Sequence, residues 1–303
     1  MSAREPAARA PSLSAAAPGA EGQPGRDAPG VRPVGHAAAA GDGSARAVEL
    51  RGRGFEPRLR PAIAWLGLLG LLVLWQTASA TGILSDFTLP SPARIGRALA
   101  ELASSGELWG HLRASAGRIA AGFALGFSAG VAAGLAIGIF SLWRSLGLPV
   151  VSALFPIPKI ALLPLFILWF GIGEWSKIAT LAFGVFFPTV VATYGAVDGV
   201  PRTLVRMGQS FGLGPGAITA RILLPGALPG ILSGARIASS IALILVVAAE
   251  MIGAERGIGA LILTSGHLMQ TDRLLAGVVV LSVAGLLLAW GLGALERRLL
   301  RWR

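Results

Sequence analysis

Six apolar runs, at approximately 61–80, 116–140, 148–171, 177–197, 227–252 and 274–295, constrain this chain more than any other feature. A hydrocarbon core of about 30 Å takes about 20 helical residues, and each run is long enough to cross it. With 54% hydrophobic residues and a mean hydropathy of +0.70, the chain has more apolar surface than one soluble core can bury. It reads as an all-α, polytopic membrane protein with six transmembrane helices.

Charge sets the orientation. Six spans put both termini on one side. Arg51, Arg53, Arg58 and Arg60 precede the first run, and Arg297, Arg298, Arg301 and Arg303 follow the last. By the excess of basic residues on cytosolic segments, that shared side is the cytosol. Arg202, Arg206 and Arg221 fall on the same side, whereas Asp86, Glu101, Glu107, Glu174, Glu255 and Asp272 balance the cations of the opposite loops. The formal charge of +11 follows from this asymmetry. A nucleic-acid partner is not indicated, because no basic face is interleaved with aromatic or motif residues. Residues 1–55 are rich in Ala, Gly, Pro, Ser and Arg without an apolar period and read as a disordered cytosolic tail; residues 56–303 form the membrane domain. A transit peptide is the rival for the tail, but its acids and prolines argue against an amphipathic targeting helix.

The polar stretch from Pro201 to Pro225, between the fourth and fifth runs, is the most elaborate loop. Pro201 suits a helix's first turn and Gly212 the left-handed turn after one. Between them Leu204, Met207, Gly208 and Phe211 share one face, while Arg202, Arg206 and Gln209 share the other. A second short helix runs to Pro225, where the missing backbone donor is expected to break the chain. On shape alone the loop is either an interfacial lipid helix or a docking element.

Four further features carry candidate chemistry or packing. Gly122, Gly126, Gly130, Gly134 and Gly138 recur every four residues and clear one helix face, for close packing within the chain or for a sliding or dimer contact. Prolines at 149, 156, 158 and 164 predict that the third span is kinked or unwound, with Lys159 near its middle. An intramembrane charge is aimed at a pathway, as a contact for an anionic substrate, or snorkels to headgroups. On the fifth span Arg236, Ser240, Leu243, Val247 and Glu250 form a mixed stripe; Ser240 and Glu250 join Lys159 as candidate pathway residues. Ser91-Pro92 opens an amphipathic helix with Ile95, Leu99 and Leu102, which either caps the bundle or meets a substrate-delivering protein.

No active site is visible. There is no cysteine, so thiolate catalysis and cysteine-ligated metal are excluded. His36, His111 and His267 lack metal-ligand spacing, and no metal site is expected. No glycine-rich GxxxxGK[ST] loop occurs, so no nucleotide cofactor is expected on this chain.

Gly212, followed by Ile222, Leu224 and Pro225, resembles the cytosolic ATPase-docking signature of ABC importer permeases, with Arg206, Met207 and Gly208 standing where that signature has glutamate and two alanines. The resemblance extends over roughly residues 60–303 through LPSPARIGRAL, SAGRIAAGFALGFSAG, PIPKIALLPLFILWFGIGE, LLPGALPGILSGARIA, VVAAEMIGAERGIGALI and MQTD. Together these are similar to permeases of the nitrate, aliphatic sulfonate and taurine import family. The resemblance implies the type I ABC importer permease fold with a coupling-helix loop between spans four and five. It also implies a bacterial inner-membrane location, two permease copies, two ABC ATPase subunits on the loops and an external solute-binding protein. The implied cargo is a small anion such as a sulfonate, taurine or nitrate. A secondary transporter would account for a broken span, but no second broken span matches it. A membrane-embedded enzyme would need clustered His, Asp or Ser within the spans.

Overall fold

The computed structural model describes residues 61–85 and 87–301. The tail expected at 1–55, with its arginines, lies outside the described residues. Every regular element among the described residues is a helix. In chain order they are α1 (Pro61–Ala80), α2 (Pro92–Ser104), α3 (Glu107–Ile139), α4 (Ser141–Leu154), a 3₁₀ turn (Lys159–Leu162), α5 (Leu163–Phe170) and α6 (Glu174–Asp198). Then come α7 (Arg202–Ser210), α8 (Pro215–Ile218), a π-helical turn (Thr219–Leu223), α9 (Leu224–Met251), α10 (Ile258–His267) and α11 (Thr271–Leu299).

Four helices among the described residues are long and apolar enough to cross a membrane: Glu107–Ile139, Glu174–Asp198, Pro215–Met251 and Thr271–Leu299. The pair Ser141–Leu154 and Lys159–Phe170, bent by 90°, makes a fifth if read as one broken span. The break falls at Pro156 and Pro158, where the chain lacks backbone donors. The first run is α1, whose stretch Trp65–Ala80 is apolar but shorter than the others. Leu66, Leu69, Leu71, Val73 and Leu74 are exposed around it. Its lateral contact is with α2, where Gln76 Oε1 accepts the backbone N–H of Ala93 at 3.2 Å.

Two boundaries differ from the hydropathy pattern. α3 begins at Glu107, well before 116, and its 33 residues reach about 50 Å, longer than a hydrocarbon core. The additional turns carry His111, Arg113 and Ser115. At the other boundary Pro225 does not break the chain. It occupies the first turn of α9, where a missing N–H is tolerated. The turn before it widens to i→i+5 spacing, with Leu224 N–H donating to Thr219 O. The stretch Pro215–Met251 is therefore continuous.

The glycine ladder explains how the bundle is held. All five glycines face α6 of the same chain. A Cβ at Gly126 would lie 2.2 Å from Ala182 O; one at Gly130 would meet Thr189 Cβ at 2.7 Å, and one at Gly134 would meet Thr193 Cβ at 2.5 Å. Gly122 and Gly138 stand equally close to Leu181 and Val197. On the other side of α6, Gly230 and Gly234 of α9 lie against Ala196 and Ala192, where a Cβ would approach to 2.5 and 2.3 Å. In lipid, such backbone proximity supplies the packing that hydrophobicity cannot. Ile95, Ala98 and Leu102 of α2 close one end of the bundle against Leu108, Ile258, Leu261 and Ala276. α2 thus sits as a cap.

Because Ala182 O is a backbone atom that cannot swing aside, Gly126→Ala should lower the thermal stability of the purified protein. Gly117→Ala, with nothing within 4 Å of the added carbon, should not, and a helical Gly→Ala change there should stabilise by about 0.5–1 kcal/mol. Equal melting temperatures for the two variants would show that the ladder is not a tight contact.

Candidate functional site

At one end of the bundle, the polar loop forms a capped helix with an uncovered apolar ridge. α7 follows Pro201 and closes in a Schellman arrangement: Leu213 N–H donates to Gly208 O at 3.0 Å and Gly212 N–H to Gln209 O at 2.9 Å. Gly212 has φ +74°, the left-handed conformation that a side chain resists. Gly208 turns inward. A Cβ there would reach Ile222 Cδ1 at 2.8 Å, so the missing side chain seats α7 on the π turn. Leu204, Met207 and Phe211 point outward at 44%, 55% and 78% exposure, and Arg202, Arg206 and Gln209 are exposed beside them. Ile222 and Leu223 pack on Val197, Val200, Ala227 and Ile231. Leu224 is exposed, and Pro225 is half-buried.

Two ion pairs tie the spans at this end. Arg144 of α4 grips Asp198, the last residue of α6, with Nη1 and Nη2 each 2.7 Å from a carboxylate oxygen. Arg236 of α9 pairs with Glu296 of α11 at 2.5 Å.

The opposite end holds a buried charge node. The Arg118 side chain is 5% exposed and donates from Nε and Nη2 to Glu174 at 2.7 and 2.6 Å. Its Nη1 donates to Glu250 Oε1 and to the carbonyl of Arg256, both at 2.7 Å. Glu250, with a fully buried side chain, also accepts from Ser115 Oγ, 2.8 and 2.9 Å from its two oxygens, and from Gly259 N–H at 2.9 Å. Ser115 Oγ in turn accepts from Ile258 N–H at 2.8 Å. Nearby, His111 Nδ1 lies 2.9 Å from Gly257 O and 3.0 Å from Gly257 N. Buried Lys177 donates to Gly173 O at 3.0 Å. The node joins α3, α6, α9 and the segment leading into α10.

The three candidate pathway residues lie apart. Lys159 sits at the 90° bend, donates to Phe155 O, and lies over the rings of Phe155 and Phe187 at 5.1 and 5.3 Å. Ser240 is exposed midway along α9 and donates back to Arg236 O at 3.2 Å. Glu250 belongs to the node. Among the described residues no hydrogen bond joins any two of the three, and no group of three or more His, Cys, Asp or Glu is placed to hold a metal ion. Sequence reasoning missed Arg118, Ser115, Glu174 and the Arg144–Asp198 pair as partners. The available signal was an arginine one turn before the glycine ladder and a glutamate on an apolar span, each requiring a counter-charge.

The family described as binding-protein-dependent transport system inner membrane component matches residues 122–301, and the chain belongs to it. It is 40% identical over 238 residues to SsuC of Escherichia coli (strain K12), named for aliphatic sulfonates transport, covering 78% of this chain and 90% of that protein. It is 35% identical over 252 residues to the taurine transport system permease protein TauC of the same organism, covering 81% and 92%. The riboflavin transport system permease protein RibX of Chloroflexus aurantiacus is 37% identical over 235 residues, covering 78% and 88%. Among solved structures, an inward-facing form of the MetNI methionine ABC transporter superposes with a TM-score of 0.55 at 22% identity, covering 64% of this chain and 97% of that one. That likeness establishes the type I permease fold. The chain is a multi-pass membrane permease subunit of a binding-protein-dependent ABC importer, a transport component and not an enzyme.

The two carboxylates of the node differ in burial, and removing them should differ accordingly. Glu250→Ala strands a buried guanidinium face and should destabilise by roughly 3–5 kcal/mol. Glu174, whose side chain is 60% exposed, should contribute far less. Thermal unfolding of the purified variants in detergent checks the order, and a larger loss for Glu174→Ala would contradict it.

Proposed function

We propose that this permease imports a small anionic solute, such as a sulfonate, taurine or nitrate, in a bacterial inner membrane. Two copies form the pathway, two ATPase subunits that bind ATP dock from the cytosol, and an external solute-binding protein delivers cargo. The observation that carries the proposal is the apolar ridge Leu204–Met207–Phe211, left uncovered on a helix fixed at both ends. An apolar helix face of this kind fits a groove on a partner protein. The relatives named for sulfonates and taurine support an anionic cargo. The similarly distant relative named for riboflavin supports a division of labour in which the binding protein does much of the selecting. Both termini are assigned to the cytosol, and α1 is assigned as the sixth span, its exposed leucines facing lipid.

Within the pathway, Lys159 and Ser240 are the proposed solute contacts. Lys159 stands where the broken span turns, and Ser240 stands on an exposed face of α9 shared with Ser233, Ile237 and Ile244. Glu250 serves the pathway indirectly by fixing the end of α9.

Phe211→Ala should weaken ATPase binding by about 2 kcal/mol or more if Phe211 is a docking anchor. Gly212→Val should retain ATP hydrolysis but lose uptake, because a β-branched residue resists the left-handed cap. Pull-down, ATPase activity and uptake in reconstituted complexes read both effects. Normal assembly and transport in both variants would reduce the loop to an interfacial lipid helix. For orientation, the cysteine-free chain permits labelling at Thr203→Cys and Leu268→Cys, both exposed sites. The first should react only from the cytosol and the second only from outside; the reverse pattern would remove the loop from the ATPase side.

A further inference from the structure

An apolar groove of about 660 Å³ opens on the side of the bundle beside the docking loop. Phe127 and Val131 of α3, Leu228 and Leu232 of α9, and Leu295 and Leu299 of α11 form its walls, and Leu224 and Pro225 close its end. Leu224, Leu295 and Leu299 remain 37%, 46% and 44% exposed, so the groove is open laterally. Its volume lies within the range of about 300–1,000 Å³ that organic ligands occupy.

Arginines neighbour the groove's lining residues along the chain. Arg298 lies one helical turn beyond Leu295 and adjoins Leu299, Arg301 follows, and Arg221 precedes Pro225 by four residues. All three are exposed, and among the described residues none has an acidic partner. Glu296, next to Leu295 on α11, is paired with Arg236. A laterally open apolar slot inside the membrane domain, with exposed arginines within about a helical turn of its lining residues, matches a molecule with an apolar tail and a negative head.

We propose that the groove binds an anionic phospholipid of the cytosolic leaflet, its acyl chain along Leu228, Leu232 and Leu295 and its phosphate among Arg221, Arg298 and Arg301. The assignment to that leaflet rests on the cytosolic placement of the docking loop proposed above. The lipid would bridge the start of α9, next to the docking loop, and the end of α11. Lipid composition would thereby act on the joint through which the loop meets the spans.

The test is native mass spectrometry of the full-length protein taken from bilayers of equal parts phosphatidylcholine and phosphatidylglycerol. Phosphatidylglycerol should be retained in preference. Arg298→Gln should lower that preference about fivefold, the effect of removing one basic residue near an anionic surface, and Arg298→Lys should keep it. Leu295→Trp, which fills the groove and leaves every arginine in place, should lose the bound lipid; Leu228→Phe is the milder filling variant if tryptophan impairs folding. Equal retention of the two lipids, or retention unchanged by both Arg298→Gln and the filling variants, would overturn the proposal. Disulfide formation between two copies carrying Leu295→Cys would also overturn it, by making the groove a subunit interface. No ATPase is needed, so lipid binding can succeed or fail independently of the docking assignment.

Discussion

A guanidinium with 5% side-chain exposure at the end of a membrane helix cannot remain unpaired, since the penalty for burying an ion is several kcal/mol even after relaxation. Arg118 therefore draws in Glu174 from α6, Glu250 from α9 and the Arg256 carbonyl from the segment before α10. Satisfying Glu250 has a further consequence. Its carboxylate needs donors from a backbone wrapped tightly around it, and Gly257 and Gly259 make that possible. A Cβ at Gly257 would lie 2.3 Å from Glu250 Cδ, one at Gly259 would lie 2.4 Å from Val247 O, and Gly257 has φ +141°. The turn thus folds α10 back along α9 and α11 instead of leaving a free loop. α2 then packs on the surface that α10 and α11 present.

Away from this node the same three helices are held by a different means. α6 lies between the glycines of α3 on one side and Gly230 and Gly234 of α9 on the other, at separations where an added methyl would collide. This makes α3, α6 and α9 one closely packed slab, locked by charge at one end. α4 and α11 join this slab through the Arg144–Asp198 and Arg236–Glu296 pairs. α4 and α5 meet at a 90° bend, α1 meets α2 and lays Trp75 on the core that α2 shares with α10 and α11, and α11 leaves Leu286, Leu287 and Trp290 uncovered.

Apolar run length revealed the helical class, and the four-residue glycine period revealed a cleared face, because both are local properties of the chain. Pro201 and Gly212 bounded α7 to within a residue or two for the same reason: one fixes φ and the other admits the left-handed turn. What eluded the sequence was non-local. Hydropathy missed the first turns of α3 because Glu107, His111 and Arg113 lower the average, although the helix is continued by partners more than fifty residues away. α10 was hidden between glycines that looked like loop residues until Glu250 gave them a purpose. Pro225 looked like a break because a π turn, one extra residue in a ring, has no compositional mark. The charged residues themselves were visible, but which acid met which arginine was not.

The geometry of the loop bears on how ATPase motion, in the proposed cycle, would reach the far side. α7 is seated on Ile222 through Gly208, and Ile222 lies in the π turn that runs without interruption into α9. A displacement of α7 would therefore be applied to the start of a continuous helix rather than to an extended linker. From Leu224 to Glu250 that helix extends about 40 Å at about 1.5 Å per residue. At its far end Glu250 is held by Arg118, Ser115 and Gly259, so the helix cannot slide freely there. In that proposed cycle, a push at one end and a charge node holding the other would produce a tilt about the node. Such a tilt would carry the exposed α9 face of Ser233, Ile237, Ser240 and Ile244 furthest near the docking loop and least near the node.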